Sequence, residues 1–531
     1  MKNLIILIGV FSLLLIGCRE DFEDLEFEDW KPIIAIPLVS SEITVDDVLT
    51  ELNHPEEVLI LENGLVALNY KGELFSFSAE SIIAIPNQLF SESIVLGEAE
   101  ALILDNTGTV TPPAFDLPVN LNLSPSSVMV SEVKFLAGDL TMSLTREQDE
   151  GISGVVSVNE LVDGDGQVAS FSFSGSEALA VPEIVSIDLT GYRLSPLIES
   201  SNQINLSASI TFTNNELNTA VEGDFVSIDF DLSNLQFEHI IGDFGNLSLS
   251  SDNDSISINL FENIQGGSFA LTNAIFDLTV TNSFGFPSNV ELGQVVSINE
   301  NTGVQTPLIL DDIILQGQQV LGGVPEVGIF SFDNENSDVT SLFDPAPLLV
   351  VFNMSAVSNP SGPPPPNNLN FITNESAFDI GIDLILPLEG YALNMLVSDT
   401  VPFTISFGQN EEIDSIEFKL QMDNGFPIDI SFQALFLDSN KVVTDSLFLE
   451  QTLIMASALT DADGNVTSPT HTVNFILLED ERAEGIKHTD FVLFRAIFNS
   501  PGSENQDVIR VKETQKVDIT LGAKIFGNIE L

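Results

Sequence analysis

The sequence has few basic side chains, one cysteine, one tryptophan and three tyrosines. Its 531 residues include 16 Lys and Arg against 79 Asp and Glu, which gives a formal charge of −63. So negative a chain is not a nucleic-acid-binding protein, because it has no basic surface with which to neutralise phosphates. A single Cys excludes a disulfide-stabilised scaffold and any cysteine-rich metal or iron–sulfur site.

Sequence motifs of common catalytic sites are also missing. The four His residues are scattered, and the chain contains no H-E-x-x-H, G-x-S-x-G, P-loop or G-x-G-x-x-G motif. A glycosidase needs only two carboxylates, which the composition cannot exclude, but no spacing supports one. We therefore expect a protein that is not an enzyme and has no cofactor. The alternative is an enzyme that acts on an extracellular polymer.

The N-terminus has the features of an export signal. Lys2 precedes the uncharged run 4–16, which is shorter than the roughly 20 residues that a membrane-spanning helix needs. The run ends in Leu15-Ile16-Gly17-Cys18, which resembles a bacterial lipobox. The resemblance implies that residues 1–17 are a lipoprotein signal peptide and that Cys18 carries the lipid. The alternative is a chance Cys behind a signal or a core helix.

Residues 18–31 form an acidic tether behind the lipidated cysteine. Seven of the eleven residues 19–29 are acidic, and such a block repels itself and stays extended. It resembles the acidic export signal of surface lipoproteins of Bacteroidota. The resemblance implies a lipid-anchored outer-membrane protein that faces the cell exterior; a plain periplasmic spacer is the alternative. The expected partners are the membrane, through Cys18, and an outer-membrane protein, while the oligomeric state stays open.

Beyond Trp30 the dominant hydrophobic period is two. Apolar residues alternate with Ser, Thr, Asn or Asp, for example in 227–232 and 277–281, as in half-buried strands. Gly, Pro, Asn and Asp separate these short runs. Only 44–52 has a helical pattern, with Asp46 and Asp47 in its first turn. The sequence therefore predicts an all-β fold of tandem antiparallel β-sandwich domains.

Two short segments share a corner motif, Asn-Ser-Phe-Gly-Phe-Pro at 282–287 and Asn-Gly-Phe-Pro at 424–427. We expect each chain to turn at Gly-Phe-Pro, with Gly supplying an unusual φ and Phe closing the core. Residues 277–290 resemble the central stretch of LEA-type-2 domains, although Ser283 stands where Pro is usual. With the acidic tether and the Trp30-Lys31-Pro32 entry, the chain resembles an uncharacterised class of Bacteroidota surface lipoproteins. That resemblance implies immunoglobulin-like sandwiches and no known activity.

Shifts in composition suggest the domain boundaries. Four consecutive prolines mark 359–368 as a linker or an exposed loop. The predicted regions are an N-terminal β-rich region at 32–110, a β-sandwich at 111–220, a LEA-like β-sandwich at 221–358 and a C-terminal β-sandwich at 369–531.

Two Asp-rich turns are candidate calcium sites, because hard cations bind several oxygen ligands at close range. The candidate ligands are Asp163 and Asp165 in the first turn, and Asp461, Asp463 and Asn465 in the second. Neither turn continues into a full EF-hand loop. Asp-Gly and Gly-Asn are also ordinary hairpin turns, which is the alternative.

The distribution of charge and of aromatic residues limits the function further. No Lys or Arg lies between Arg193 and Lys419, although that stretch holds 30 acidic residues, which we expect to face water. The 38 Phe residues outnumber Trp and Tyr, and this counts against an aromatic carbohydrate platform. We expect a structural or binding subunit. The alternative is a lipid-binding carrier with an apolar groove, for which 382–388 is apolar enough, although plain core explains that segment too.

Overall fold

The computed structural model describes residues 33–45, 47, 58–146, 151–175, 183–197, 201–214, 222–250, 254–258, 264–299, 303–344, 346–403, 411–450 and 452–529. The predicted signal peptide, Cys18 and the acidic tether lie outside these residues.

The described residues are mostly β-strand, and the strands are listed here in chain order. They are β1 (Ile33–Thr44), β2 (Val58–Ile60), β3 (Val66–Ser78), β4 (Gln88–Val95), β5 (Thr109–Val110), β6 (Phe115–Asn120), β7 (Met129–Arg146), β8 (Gly151–Val162), β9 (Val168–Gly175), β10 (Glu183–Asp188), β11 (Arg193–Leu194), β12 (Gln203–Thr213), β13 (Phe225–Asp243), β14 (Ser248–Ser250), β15 (Asp254–Ser257), β16 (Ile264–Leu271), β17 (Ile275–Asn282), β18 (Ser288–Glu291), β19 (Gln294–Asn299), β20 (Val304–Ile309), β21 (Ile313–Leu315), β22 (Glu326–Phe332), β23 (Leu349–Phe352), β24 (Ser355–Ser358), β25 (Asn370–Thr373), β26 (Ala377–Pro387), β27 (Glu389–Pro402), β28 (Glu411–Asn424), β29 (Asp429–Leu437), β30 (Val443–Ser446), β31 (Thr452–Met455), β32 (Leu459–Thr460), β33 (Val466–Ser468), β34 (Thr470–Glu479), β35 (Phe491–Asn499), β36 (Ile509–Arg510) and β37 (Lys516–Ile529). The helices are α1 (Ala79–Ile82), α2 (Glu98–Thr107) and α3 (Asp480–Gly485), with 3-10 turns at Val339–Phe343, Ile486–His488 and Ser503–Asn505.

The chain forms two compact units. Among the described residues, the central unit comprises those within 58–258 and 268–391, and the C-terminal unit comprises those within 33–47, 264–267 and 392–529. The proline-rich segment 359–368 connects β24 to β25 inside the central unit. The finer domain boundaries given by the sequence remain predictions.

The C-terminal unit is a β-sandwich of two antiparallel sheets. One sheet has the strand order β1-β37-β28-β34, and the chain's first and last described strands therefore lie side by side. The other contains β35, β29 and β30, with β31 paired to β29 and residues 395–402 of β27 paired to β35.

The central unit contains an eleven-stranded sheet, a five-stranded sheet and two four-stranded sheets. The main path of the largest sheet is β25-β13-β7-β11-β8-β12-β5, and the five-stranded sheet is ordered β2-β3-β26-β17-β22. Every described pairing in these sheets is antiparallel. The predicted all-β fold class of antiparallel β-sandwiches is confirmed.

The predicted period of two in hydrophobicity matches the alternation of buried and exposed residues along the strands. Residues of β12 and β17 alternate between buried and partly exposed along almost their whole length. Apolar side chains such as Leu206 and Leu278 enter the core while Ser, Thr and Asp face outward, and Asn282 at the end of β17 is the buried polar exception.

The helices differ in part from the prediction. Val45 and Asp47 are helical, Thr44 caps them by donating its hydroxyl to Asp47 Oδ2 at 2.7 Å, and the Asp47 N–H donates to Thr44 Oγ1. The rest of 44–52 lies outside the described residues. Helix α2 was not predicted, because its ten residues bury only Ala101 and Leu104 and so carry little helical periodicity. No helix among the described residues is long and apolar enough to cross a membrane.

The two predicted corners share one hydrogen-bond pattern, which is built by the Asn rather than by Gly-Phe-Pro. Asn282, fully buried, accepts the Phe284 N–H and donates to the carbonyls of Phe286 and Gln316. Asn424, fully buried in the other unit, accepts the Phe426 N–H and donates to the carbonyls of Ile428 and Ala456. Each Asn thus satisfies three backbone groups where two strands part.

The expectation that the corner glycines supply an unusual φ is wrong. Neither Gly285 nor Gly425 has a positive φ. A Cβ on Gly285 would lie 2.3 Å from the Phe371 ring, and one on Gly425 would lie 2.6 Å from the Lys516 carbonyl oxygen. Glycine is needed for close packing here.

Candidate ligand-binding site

An apolar cavity lies between the two sheets of the C-terminal unit. Its volume is about 680 Å³, within the roughly 300–1,000 Å³ of ordinary ligand pockets. All of its lining residues are apolar: Phe403, Ile416, Phe418, Leu420, Met422, Phe432, Ala434, Phe436, Leu447, Phe448, Ile476, Ile486, Val492, Phe494, Ile519, Leu521, Ala523 and Ile525.

The alternation of the strands places these side chains. Even-numbered residues from Ile416 to Met422 on β28, and odd-numbered residues from Ile519 to Ile525 on β37, point to the same side of their shared sheet. From β29, Phe432, Ala434 and Phe436 reach the cavity from the other sheet. The pattern is that of any sandwich core, but here the two sheets do not close on each other.

Phenylalanines in the two units differ in exposure. In the central unit, eight Phe are buried almost completely: Phe171, Phe230, Phe244, Phe276, Phe284, Phe286, Phe343 and Phe378. Around the cavity, Phe403, Phe418, Phe432 and Phe448 are only partly buried, and Phe494 is 37% exposed. The central unit also contains an apolar void, but the volume of that void is only about 20 Å³. One unit has a closed core, and the other has room for a ligand.

One wall of the cavity is held by the polar contacts of buried Gln433 and of the partly buried pair Arg482–Asp445. The Gln433 side chain donates to the Phe448 carbonyl at 2.7 Å and accepts the Phe448 N–H at 3.0 Å. Beside it, Arg482 forms an ion pair with Asp445 at 3.1 Å and donates to the Ser446 carbonyl. These bonds fix Leu447 and Phe448 in the wall, so the open space does not result from a loose loop.

The size and chemistry of the cavity favour an apolar occupant. Its lining is wholly apolar, and the space is partly open to solvent, as the 37% exposure of Phe494 shows. Water in it finds no side-chain hydrogen-bond partner among the lining residues. An apolar ligand would cover this lining and gain contacts with it.

Segment 382–388, which the sequence suggested as a groove, is core in the structure. Ile382, Leu384 and Leu386 of β26 are at most 2% exposed, and none of them lines the cavity. Strand β26 is central in the five-stranded sheet, and its buried side chains alternate along one face. The sequence missed the true cavity because its strands have the same alternating pattern as a closed core.

Each candidate calcium turn is a hairpin turn in which the carboxylate of the first Asp accepts hydrogen bonds from backbone N–H groups of the turn. Asp163 Oδ1 accepts the N–H groups of Asp165 and Gln167 at 2.9 and 2.8 Å. Asp461 Oδ1 likewise accepts those of Asp463 and Asn465 at 3.0 and 2.9 Å. The Asn465 side chain donates to Asp461 Oδ2 and, with the N–H bonds, holds the pKa of Asp461 below its usual value.

Asn465 is also engaged elsewhere, since its side-chain oxygen accepts from Lys512 Nζ at 2.8 Å. Among the described residues, no three His, Cys, Asp or Glu side chains gather where they could hold a metal. Calcium binding stays a prediction.

Three carboxylates in the base-free middle of the chain are paired with serines on neighbouring strands, while Asp383 and Glu238 pair with Lys71 and Lys134. Ser91 Oγ donates to Asp229 at 2.5 Å, Ser331 Oγ to Asp277 at 2.6 Å, and Ser76 Oγ to Asp379 at 2.7 Å. Each Ser lies directly opposite its Asp in the strand register. Hydroxyl donors thus orient acids that have no basic neighbour, which the sequence could not show without the register.

Lys516 and Lys524 of the C-terminal unit pair with acids of the same unit. Lys524 contacts Glu417 at 3.1 Å, and Lys516 contacts Glu42 on β1. Glu42 and, further off, Asp518 raise the pKa of Lys516 above its usual value. These ion pairs connect β37 to β1 and to β28 on the outer face of the sheet that lines the cavity.

No protein-family model and no curated protein matches the chain. Among solved structures, a provisionally assigned secreted protein of Parabacteroides distasonis is 13% identical, with a TM-score of 0.17, over 67% of this chain and 99% of its own. A triple jelly-roll turret protein of an archaeal virus is 12% identical, with a TM-score of 0.12, over 85% and 91% of the chains. The VP2 subviral particle of infectious bursal disease virus is 10% identical, with a TM-score of 0.15, over 91% and 86%. At these scores the alignments do not establish a shared fold or function.

Proposed function

We propose that the protein is a non-enzymatic, lipid-anchored outer-membrane protein whose C-terminal unit binds an elongated apolar ligand of the acyl-chain type. The apolar cavity of about 680 Å³ is the observation that supports the binding role. Of the two non-enzymatic alternatives, a plain structural subunit and a lipid carrier, it favours the carrier. The lipobox at Cys18 and the acidic tether support the anchor and the outward orientation.

The chemistry of the lining residues defines the ligand class. None of them is charged or carries a hydroxyl or an amide group, so a polar head group gains nothing inside. The volume, about 680 Å³, is between four and five times that of the ~150 Å³ apolar cavity that accepts a benzene ring. A chain of many methylenes fits this space, and each buried methylene contributes about 0.8 kcal/mol.

The binding test uses a cavity-filling variant. Ala434, 3% exposed, lies in the cavity wall, so Ala434→Phe should occupy ligand space without crowding a closed core. We expect a fluorescent C16 fatty acid to bind the wild-type chain and to bind Ala434→Phe at least tenfold more weakly. Ala462→Phe, at an exposed turn of the same unit, is the matched control and should bind as wild type does.

Two results would contradict the binding role. One is a wild-type chain, stripped of lipid by organic extraction and refolded, that fails to bind the fatty acid. The other is equal binding by Ala434→Phe and wild type, which would place the probe elsewhere on the protein.

The anchor has a separate test. Cys18→Ser should release the protein from the membrane fraction or stall its processing, because Cys18 is the only cysteine in the chain. Normal maturation and membrane partition of this variant would contradict the lipobox. Protease added to intact cells should remove the body of the anchored wild-type protein if it faces the exterior.

A further inference from the structure

A second, polar cleft lies in the central unit, beside the corner that Asn282 builds. Its volume is about 270 Å³, and it is lined by residues 285–287, 316–319, 359, 361–365 and 368–371. These segments contain Gln, Asn, Pro, Gly, Ser, Leu and Phe, but no acidic or basic residue. A charge-free cleft is notable here because the base-free stretch 194–418 that surrounds it holds 30 acidic residues.

The floor of the cleft is built by close packing. A Cβ on Gly317 would lie 2.4 Å from both the backbone N and the O of Phe286, and a Cβ on Gly285 would strike the Phe371 ring. Asn359 and Asn370 fix the opposite side, since Asn359 Nδ2 donates to Asn370 Oδ1 at 2.9 Å and Asn370 Nδ2 donates to the Gly285 carbonyl at 3.3 Å. The cleft is therefore a formed feature of the fold.

Three further carboxamides line the cleft, those of Gln316, Gln318 and Asn368. Gln316 and Asn368 are exposed, and their side chains make no hydrogen bond to the described residues. Gln318 is only 8% exposed, but its amide is not among the buried side-chain groups that lack a hydrogen-bond partner. The cleft thus presents carboxamides to a ligand that both donates and accepts hydrogen bonds.

This pattern narrows the ligand class. A metal cation needs carboxylate or several carbonyl ligands, and no carboxylate lines the cleft. An anion would find no base there and would be repelled by the charge of the molecule. Hydroxyl groups match carboxamides, because each hydroxyl donates and accepts through one atom. The rings of Pro363, Pro364 and Pro365 add an apolar edge on which a sugar ring can lie.

We propose that this carboxamide cleft binds a neutral saccharide of one or two rings. Its volume falls just below the range for drug-sized ligands, which suits a ligand of that size. The site does not depend on an aromatic platform and is independent of the apolar cavity in the other unit.

The test is calorimetric titration of the full chain with neutral mono- and disaccharides of glucose, galactose, mannose and N-acetylglucosamine. We expect at least one of them to bind, and Gln316→Ala combined with Gln318→Leu to weaken that binding at least tenfold. Gln236→Ala, at an exposed position of β13 away from the cleft, is the control and should leave binding unchanged. An acidic analogue, sialyllactose, should bind more weakly than lactose does.

A melting curve separates loss of binding from loss of fold. Because neither substitution removes a side-chain hydrogen bond to the described residues, the melting temperature of the double variant should stay level. The proposal is overturned if no neutral saccharide binds at 10 mM, or if the double variant binds as wild type does. Binding of a tri-proline peptide in place of the sugars would also overturn it and assign the cleft to peptides.

Discussion

At the scale of single residues, the corners show how one buried amide can organise the end of a sandwich. Asn282 and Asn424 lie in different units, yet each joins the backbone two and four residues ahead and a carbonyl more than thirty residues away. Ser283 adds two hydrogen bonds at the first corner, because its hydroxyl donates to the Ala377 carbonyl and accepts the Ala377 N–H. Proline, usual in the LEA-type-2 pattern, could form neither bond.

Replacing a corner Asn should therefore lower the free energy of unfolding. Asn282→Ala leaves one N–H and two carbonyls without their partner in a buried site, at about 1–3 kcal/mol for each unsatisfied group. We expect the free energy of unfolding of the central unit to fall by about 3 kcal/mol in urea denaturation. Asn289→Ala, which breaks a single surface bond to Asp312, should cost less than about 1 kcal/mol. Equal losses would show that the corner bonds contribute little.

A second residue-scale prediction concerns pH. The hydroxyl and the N–H of Thr190 hold the pKa of Asp188 below its usual value. Since the folded-state pKa is the lower one, this contribution to stability is present above the usual pKa of Asp and is lost as pH falls through the folded value. The melting temperature of Asp188→Asn relative to wild type should therefore rise between pH 6 and pH 2.5. The side chain of Asp165 accepts no hydrogen bond from described residues. The melting temperature of Asp165→Asn relative to wild type should therefore change less over the same pH range.

At the scale of elements, the strand register decides which carboxylates are stabilised. Asp229 on β13 has a serine opposite it on each side, Ser91 on β4 and Ser143 on β7. Only Ser91 donates to it, at 2.5 Å. Cross-strand pairs of this kind contribute roughly 0.2–1 kcal/mol.

A double-mutant cycle tests this pairing. The coupling energy from Ser91→Ala and Asp229→Ala should be about 0.5–1 kcal/mol, because the two side chains share a hydrogen bond. The cycle that uses Ser143→Ala in place of Ser91→Ala is the control and should give a coupling near zero. Two equal couplings would mean that the bond is not specific to β4.

At the scale of the whole molecule, the net charge opposes the stability of the folded state. A charge of −63 repels itself over distances near the Debye length, about 10 Å at 0.1 M salt. The melting temperature should therefore rise with NaCl at fixed pH. A melting temperature that does not change with NaCl would mean that the serine partners and the spacing of the acids already suppress the repulsion.

A comparison of CaCl₂ with NaCl separates specific calcium binding from this general effect of salt on the melting temperature. At matched ionic strength, CaCl₂ should raise the melting temperature more than NaCl does if a turn binds the ion in the native state. Asp461→Asn with Asp463→Asn should abolish that increment if the site lies in the C-terminal unit. Equal curves for the two salts in the wild type would rule the site out, and the geometry of the turn would then be that of a simple hairpin.

The strands, their alternating faces and the all-β class followed from the sequence alone, because a period of two in hydrophobicity is a local property of each strand. The excess of acid and the scarcity of bases were equally visible there. Local patterns could not reveal α2, which buries only two side chains, or the role of Gly285, which depends on a ring 86 positions later in the chain.

The candidate site was decided by tertiary structure. Strands β28, β29 and β37 around the cavity alternate in the same way as β12 and β17, which belong to a closed core. What differs is the space left between two sheets, about 680 Å³ around these strands, which no strand sequence shows. Volume is a property of the space between elements, and the sequence of any one strand does not specify it.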